Sequence, residues 1–145
     1  MRITKHTDYA LRVLLYLAAR DHARVTSKVI AEAHGISLHH LHKIVRALAD
    51  LELVHLYRGP TGGIELAQAP EAISVGAVMR ELDDLDGLIE CFDRETDACV
   101  ISPVCGLKGA LRDAQEAFYA SLDVVTIAAL TKGRKKVRLR NLTGD

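Results

Sequence analysis

The sequence predicts a mostly α-helical protein with one small β-hairpin. Apolar residues recur at helical spacing in several segments of the 145-residue chain, and a single glycine-rich turn joins two short strand-like segments. Apolar residues make up 49% of the chain and charged residues 26%, which suits a folded core and argues against disorder. No apolar stretch approaches the ~20 residues of a membrane span, and no signal peptide is evident. We expect a soluble cytoplasmic protein.

The net charge of zero hides a strong pattern along the chain. Residues 1–63 carry a net charge of +4, residues 64–131 carry −9 and residues 132–145 carry +5. All seven histidines also lie in the first block. A basic first block suits a polyanionic partner, whereas the acidic block suits the opposite side of the molecule.

Three helices are predicted in the first fifty residues. The first spans residues 7–20 and has Asp8 in its first turn, and the second spans residues 26–33 and ends at Gly35, a favoured helix terminator. Ser37 is a good N-cap for the third. The buried stripe of the third helix is predicted to be Leu38, Leu41, Ile44, Val45 and Leu48. Its outer face then carries His39, His40, His42, Lys43 and Arg46. Two helices joined by a glycine-containing turn are typical of a helix-turn-helix.

A glycine-rich turn follows, between predicted strands at residues 53–57 and 64–66. A hairpin placed directly after a helix-turn-helix forms a wing, so residues 1–68 are predicted to be a winged helix-turn-helix domain that binds double-stranded DNA. Glycines at a wing tip allow close approach to phosphates, and an arginine there can enter the minor groove. The candidate DNA-binding residues are Ser37, the outer face of the third helix, and Arg58, Gly59, Thr61, Gly62 and Gly63. A plain surface hairpin is the alternative.

The rest of the chain divides into three predicted segments. Residues 69–106 hold a connecting helix capped by Ser74, an acidic run at 83–86 and an aperiodic loop with all three cysteines. Residues 107–131 are predicted to be one long amphipathic helix that packs against a second copy, with core packing in a monomer as the alternative. Residues 132–145 form a basic tail, which is either solvated or in contact with DNA.

The cysteine loop is a candidate metal site. Cys91, Cys99 and Cys105 are soft donors that suit zinc, copper(I) or an iron–sulfur cluster. No fourth cysteine exists and no histidine follows His55, so a fourth ligand must be an acidic residue, a distant histidine or a group from another subunit. A site with one weaker, non-thiolate ligand would be open to attack by a small molecule there. Buried inert thiols are the alternative.

Several short motifs together resemble a known bacterial family. They are Met1-Arg2-Ile3-Thr4, Thr7-Asp8-Tyr9-Ala10-Leu11-Arg12, Gly35-Ile36-Ser37, Arg58-Gly59-x-x-Gly62-Gly63 and the three cysteines before a long helix. The family is that of the winged-helix regulators that include the iron–sulfur repressors NsrR, IscR and RirA, and the resemblance covers residues 1 to about 130. Residues 99–112 are most similar to the NsrR-type, nitric-oxide-sensing repressors. IscR-type proteins have a histidine where this chain has Lys108, whereas RirA-type iron regulators share the cysteine spacing closely and are the main rival.

The resemblance implies a homodimeric repressor that binds DNA while it holds an iron–sulfur cluster, 4Fe–4S rather than 2Fe–2S. It implies Cys91, Cys99 and Cys105 as cluster ligands, with Asp8 as the fourth ligand, reaching across the dimer. Nitric oxide would then nitrosylate the cluster, break the Asp8 bond and lift repression. By the same analogy, His39, His42 and Lys43 face the bases and Arg58 enters the minor groove.

Two other classes of protein compete with this interpretation. Against an iron–sulfur redox enzyme or electron carrier, the chain has no second cofactor motif such as GxGxxG or a P-loop and no evident catalytic constellation, and the wing would have no purpose. We therefore predict that the protein is not an enzyme. A zinc-bound or cluster-free interaction protein would use the helix-turn-helix only as a scaffold. The iron and sulfide content of anaerobically purified protein separates this class from the regulators.

Overall fold

The computed structural model describes residues 3–21, 23–59, 61–83, 89–93, 95 and 97–144. Among the residues discussed above, Met1, Arg2, His22, Pro60 and residues 84–86 of the acidic run lie outside these ranges. The helices are α1 (Lys5–Ala18), α2 (Ser27–His34), α3 (Leu38–Asp50), α4 (Val75–Leu82), α5 (Gly106–Asp123), α6 (Ile127–Leu130) and α7 (Arg134–Thr143). Strands β1 (Val54–Tyr57) and β2 (Gly63–Leu66) form an antiparallel hairpin, so the predicted mostly helical fold with a small β wing is confirmed.

Side-chain caps define the helix-turn-helix. The hydroxyl of Thr26 accepts a hydrogen bond from the backbone N–H of Val29 and so begins α2. Gly35 ends α2 with φ 62°, a left-handed conformation that favours glycine. The hydroxyl of Ser37 accepts from the N–H of His40 at 3.3 Å and begins α3, as predicted.

The core lies between α1 and α3. Leu14 and Leu17 of α1 and Ile44 and Leu48 of α3 are fully buried. Leu38 was expected in the same stripe, but as the first residue of α3 it is 43% exposed and borders a surface groove instead. Helix α1 also begins at residue 5 rather than 7, because the hydroxyl of Thr4 caps it by accepting from the N–H of Thr7.

The hairpin is joined to the segment that precedes α2. Val25 exchanges two backbone hydrogen bonds with Ile64, at 2.8 and 3.0 Å, and so adds one residue of a third strand beside β2. The Arg24 guanidinium lies 3.5 Å from the ring centre of Tyr57 in β1. These contacts fix the wing relative to the helix-turn-helix.

Helices α4 and α5 pack closely against each other. The Arg80 guanidinium donates to the carboxylates of Glu116, at 2.8 Å, and of Asp123, at 3.0 Å. Gly76 of α4 lies directly against the backbone of Leu122 and Asp123. The predicted connecting helix thus becomes the link between the DNA-binding half and the last third of the chain.

The single long helix predicted for residues 107–131 is wrong, because the chain breaks between α5 and α6. The N–H of Val75 donates to the carbonyl of Val125, and that of Ile127 donates to the carbonyl of Ile73. These two bonds use backbone groups that a continuous helix would need for itself. The hydroxyl of Thr126 then caps α6 by accepting from the N–H of Ala129.

The basic tail forms a helix that is docked on the rest of the protein, rather than a free, solvated tail. Helix α7 docks on the end of α1, where Asp21 pairs with Lys136 and with Arg140. The Arg20 guanidinium donates to the hydroxyl of Thr143 and to the carbonyl of Gly144. Within the described ranges, no helix has both the length and the apolar composition that crossing a bilayer requires.

Candidate nucleic-acid interface and cysteine loop

The outer face of α3 is polar and accessible. His39, His42, Lys43 and Arg46 are exposed, as predicted. His40 is half-buried, because its ring contacts the edge of Tyr9 in α1 with ring centres 5.4 Å apart. Four of the five polar residues predicted on the outer face of α3 are therefore accessible to a ligand at the surface.

A groove of about 710 Å³ separates α3 from the wing. It brings together two predicted sets of residues, since His42 and Arg46 line it from α3 and Arg58, Gly59, Gly62 and Gly63 line it from the wing. Ser37, His39, Lys43 and Thr61 are exposed near it but do not line it. The groove is cationic on both walls, which suits a phosphate backbone.

Several residues that line this groove are not among those predicted from the sequence. Lys28 adds a cation from the start of α2, and Tyr57 adds an aromatic ring from β1. The remaining members are Thr26, Ser27, Leu38, Val45, Leu56 and Ile64. Lys28 is the second residue of α2, whose start is predicted by the capping residue Thr26. The sequence could therefore have predicted that Lys28 lies at the N-terminus of this helix.

A hydrogen-bonded pair stiffens the wing. The Tyr57 hydroxyl donates to the Glu65 carboxylate at 2.6 Å, and Arg24 donates to the same carboxylate at 3.4 Å. The Tyr57 bond lowers the pKa of Glu65 and raises the pKa of Tyr57. The two strands are thus joined by side chains as well as by backbone.

Gly62 is the wing position that tolerates a side chain least. A Cβ there would lie 2.5 Å from the carbonyl oxygen of Tyr57 and 2.8 Å from that of Gly59, both backbone atoms. We expect Gly62→Ala to deform the wing tip and to weaken DNA binding about tenfold, because phosphate contacts depend on position. Fluorescence anisotropy on a labelled duplex measures this. The matched control is Ala69→Ser, an exposed change beyond the wing that should leave affinity unchanged; equal affinities for both variants would contradict the prediction.

The three cysteines are free thiols on one loop. Cys91 is buried in a single 3-10 turn (Glu90–Phe92), Cys99 is half-buried, and Cys105 directly precedes α5. Three thiols and no disulfide are the donor chemistry that an iron–sulfur cluster needs. In the part of the chain that the structure describes, no three Cys, His, Asp or Glu side chains lie close enough to hold one metal ion. The chemistry of the donor set therefore fits a cluster, although these residues are not gathered into one group in the described ranges.

Asp97 organises the loop between Cys99 and Cys105. Its carboxylate accepts the N–H of Cys99 at 3.1 Å, the hydroxyl of Ser102 at 2.5 Å and the ammonium of Lys108 at 3.3 Å. The Ser102 bond is the main reason that the pKa of Asp97 is lowered, and Lys108 adds to the effect. Lys108 thus has a structural partner here.

Asp8 lies in the first turn of α1, and its carboxylate is half-exposed. It accepts two hydrogen bonds from the Arg12 guanidinium, at 2.7 and 3.0 Å, and these raise the pKa of Arg12. The described residues do not bring Asp8 into a group with the cysteines of its own chain. In this structure the Asp8 carboxylate is thus engaged by Arg12.

His34, at the end of α2, gives the fold a pH dependence. Burial lowers its pKa, and the nearby cations Arg12 and Arg20 lower it further, whereas Asp8 opposes them. The folded protein therefore binds this proton more weakly than the unfolded chain, so stability is full above the unfolded pKa of about 6.5 and falls as pH drops below it. Chemical denaturation between pH 7.5 and 5 should show this loss, and His34→Gln should flatten it. An unchanged slope in the variant would assign the effect to other groups, such as His6, whose pKa burial also lowers.

A capped helix-turn-helix, a cationic groove and a glycine-rich wing define a winged-helix DNA-binding regulator. The family model described as "Iron-dependent Transcriptional regulator", Rrf2, matches residues 3–133. The chain belongs to the Rrf2 family of transcriptional regulators, which are not enzymes.

Within this family, the chain is similar to curated NsrR regulators. The chain is 47% identical to the HTH-type transcriptional regulator NsrR of Geobacillus kaustophilus over 139 residues, covering 95% of each chain. It is 44% identical to the NsrR regulator of Bacillus subtilis, covering 94% of each. The predicted resemblance to NsrR-type regulators is thereby confirmed, and these relatives support a transcriptional repressor.

Solved structures confirm the fold. The cysteine regulator CymR of B. subtilis superposes with a TM-score of 0.68 at 24% identity, covering 90% of this chain and 95% of that one. IscR of T. potens superposes with a TM-score of 0.68 at 25% identity, covering 90% and 85%. Both are similar to this chain over nearly its whole length.

Proposed function

We propose that this protein is a homodimeric, cytoplasmic transcriptional repressor that senses nitric oxide through an iron–sulfur cluster. Its winged helix, residues 1–68, binds a double-stranded DNA operator while the cluster is held by the cysteine loop. This loop and the connecting helix together make up residues 69–106. The observation that carries the proposal is the set of three free thiols, Cys91, Cys99 and Cys105, on one loop of a chain that is 40–47% identical to six NsrR regulators. We favour a 4Fe–4S over a 2Fe–2S cluster. When bound, the cluster supplies iron that nitric oxide can ligate.

A second copy of the chain is the partner that α5 favours. Tyr119 is the only residue of α5 that is buried among those described, and Leu107 is 64% exposed although it belongs to the apolar face. Ile101 and Val104, beside two of the cysteines, are 60% and 86% exposed. An apolar surface of this extent is typical of a protein–protein interface. Pairing through α5 would also place the loop of one copy next to the partner.

Asp8 would complete the ligand set from the partner's side. Its carboxylate is half-exposed and held by a single partner among the described residues, Arg12, so it can exchange that ion pair for a ligand bond. Movement of Asp8 would be transmitted to the DNA-binding face, because α1 packs on α3 through the core. Thr7, next to Asp8, also donates a 2.5 Å hydrogen bond to Asp83 at the end of α4. In this proposal, α1 links α3 to the end of α4, after which the chain leads into the cysteine loop.

An iron-responsive, RirA-like regulator is the alternative. The family description, "Iron-dependent Transcriptional regulator", favours it, and it uses the same three thiols. The two functions differ in the signal, which is nitric oxide in one case and iron limitation in the other.

Asp8→Ala in anaerobically purified protein tests the proposal. Wild-type protein should contain iron and sulfide, and the variant should lose both faster on exposure to a chelator, because one ligand is gone. Asp50→Ala, an exposed acidic residue at the end of α3, is the matched control and should behave as wild type. Wild-type protein without iron would refute the cluster. A cluster that ignores nitric oxide, in a protein that releases DNA when iron is chelated, would establish the alternative.

A further inference from the structure

One face of helix α7 contacts the end of α1, and the opposite face is exposed. Lys136, Arg140 and Thr143 lie on the face that meets the end of α1, where they contact Asp21 and Arg20. Arg134, Lys135 and Arg138 lie on the other side, within an arc of about 100° at 3.6 residues per turn. These three side chains are exposed and form no ion pair with a carboxylate of the described residues.

The docking makes α7 a fixed element rather than a loose basic tail. Asp21 holds two cations of α7, and Arg20, itself 8% exposed, reaches to the carbonyl of Gly144 beyond the last turn. None of the residues of α7 is buried, and its apolar side chains Val137 and Leu142 are 58% and 81% exposed. Apart from these two, the exposed residues of the helix are mainly basic.

The docking site of α7 is part of the winged-helix domain. Asp21 is three residues before Arg24, and three residues span at most about 11 Å. The Arg24 guanidinium lies 3.5 Å from the ring centre of Tyr57, which pairs with Gly63 next to the wing turn. The charge of α7 therefore adds to that of the DNA-binding domain on which the helix docks.

We propose that α7 is a second DNA-binding element, which contacts phosphates of the bound duplex through Arg134, Lys135 and Arg138. The contact is electrostatic and independent of base sequence, since three exposed cations on one helix face can neutralise phosphates and release counterions. It adds affinity and leaves base selection to α3. The proposal rests on DNA binding by the winged helix and does not depend on the cluster.

The test measures how DNA affinity falls with salt. Full-length, anaerobically purified protein is titrated onto a fluorescein-labelled duplex of mixed sequence at several KCl concentrations. The slope of log K against log [KCl] is about −0.9 for each phosphate neutralised. The triple variant Arg134→Gln, Lys135→Gln, Arg138→Gln should make this slope less negative by about 1 to 3 per protomer. The matched control, Arg134→Lys, Lys135→Arg, Arg138→Lys, keeps every charge and should keep the wild-type slope.

Each outcome is decisive. A reduced slope in the glutamine variant, with the control unchanged and both variants folded by circular dichroism, supports α7 as a DNA contact. An unchanged slope in a protein that still binds the duplex refutes it, as would a change in oligomeric state alone, and leaves the function of the winged helix intact. Failure of the wild-type protein to bind any duplex would refute DNA binding itself, and with it both proposals.

Discussion

Cys105→Ser is expected to abolish iron binding and, as a consequence, binding of the protein to its DNA operator. Cys105 directly precedes α5, and a serine hydroxyl is a poor substitute for a thiolate ligand to iron. Because the chain has only three cysteines, all of them proposed ligands, no other thiol can replace Cys105. The iron and sulfide content of the anaerobically purified variant should fall to nearly zero, compared with a full cluster in the wild-type protein.

A second substitution in the same loop controls for the effect of serine itself. Ala98→Ser introduces the same side chain at an exposed position. It should retain iron and DNA binding. A Cys105→Ser protein that holds as much iron as Ala98→Ser would contradict the assignment of this thiol.

Gly76→Ala is expected to destabilise the link between α4 and α5. An added Cβ would lie 2.5 Å from the backbone nitrogen of Asp123 and 2.8 Å from the carbonyl carbon of Leu122. These atoms cannot rotate away, so the helices must separate and the ion pairs of Arg80 must lengthen. Overpacking of this kind lowers the free energy of unfolding by about 1–3 kcal/mol. Urea denaturation followed by circular dichroism measures it.

Ala77→Ser is the matched control for this junction. It changes the next residue of α4, which is exposed, and should alter stability by less than about 0.5 kcal/mol. Equal denaturation midpoints for the two variants would show that α4 and α5 do not pack as described.

Local signals in the sequence were sufficient for the DNA-binding half. Thr26, Gly35 and Ser37 each act within one turn of their own position, so capping rules predicted α2, its turn and α3. The glycine-rich turn likewise predicted the wing, and the groove unites it with α3. The structure adds Lys28 and Tyr57 to this surface.

Elements that depend on distant partners were not predictable in this way. Helix α5 ends at Asp123 because the backbone near Val125 pairs with residues about fifty positions earlier, which no local pattern reveals. Helix α7 forms on Asp21, more than a hundred residues away. The three thiols are a similar case, since the sequence defines their chemistry but not whether they converge, and among the described residues they form no metal-binding group.

The most direct test combines a visible spectrum with a DNA-retardation assay on the same anaerobically purified sample, before and after stoichiometric nitric oxide. The duplex is one that the protein itself has selected from random sequences. We predict that a cluster absorption band is present, that nitric oxide bleaches it, and that the retarded complex is lost at the same point in the titration. A protein without iron, whose DNA binding is identical before and after nitric oxide, would contradict the proposed function and leave a winged-helix regulator with another signal.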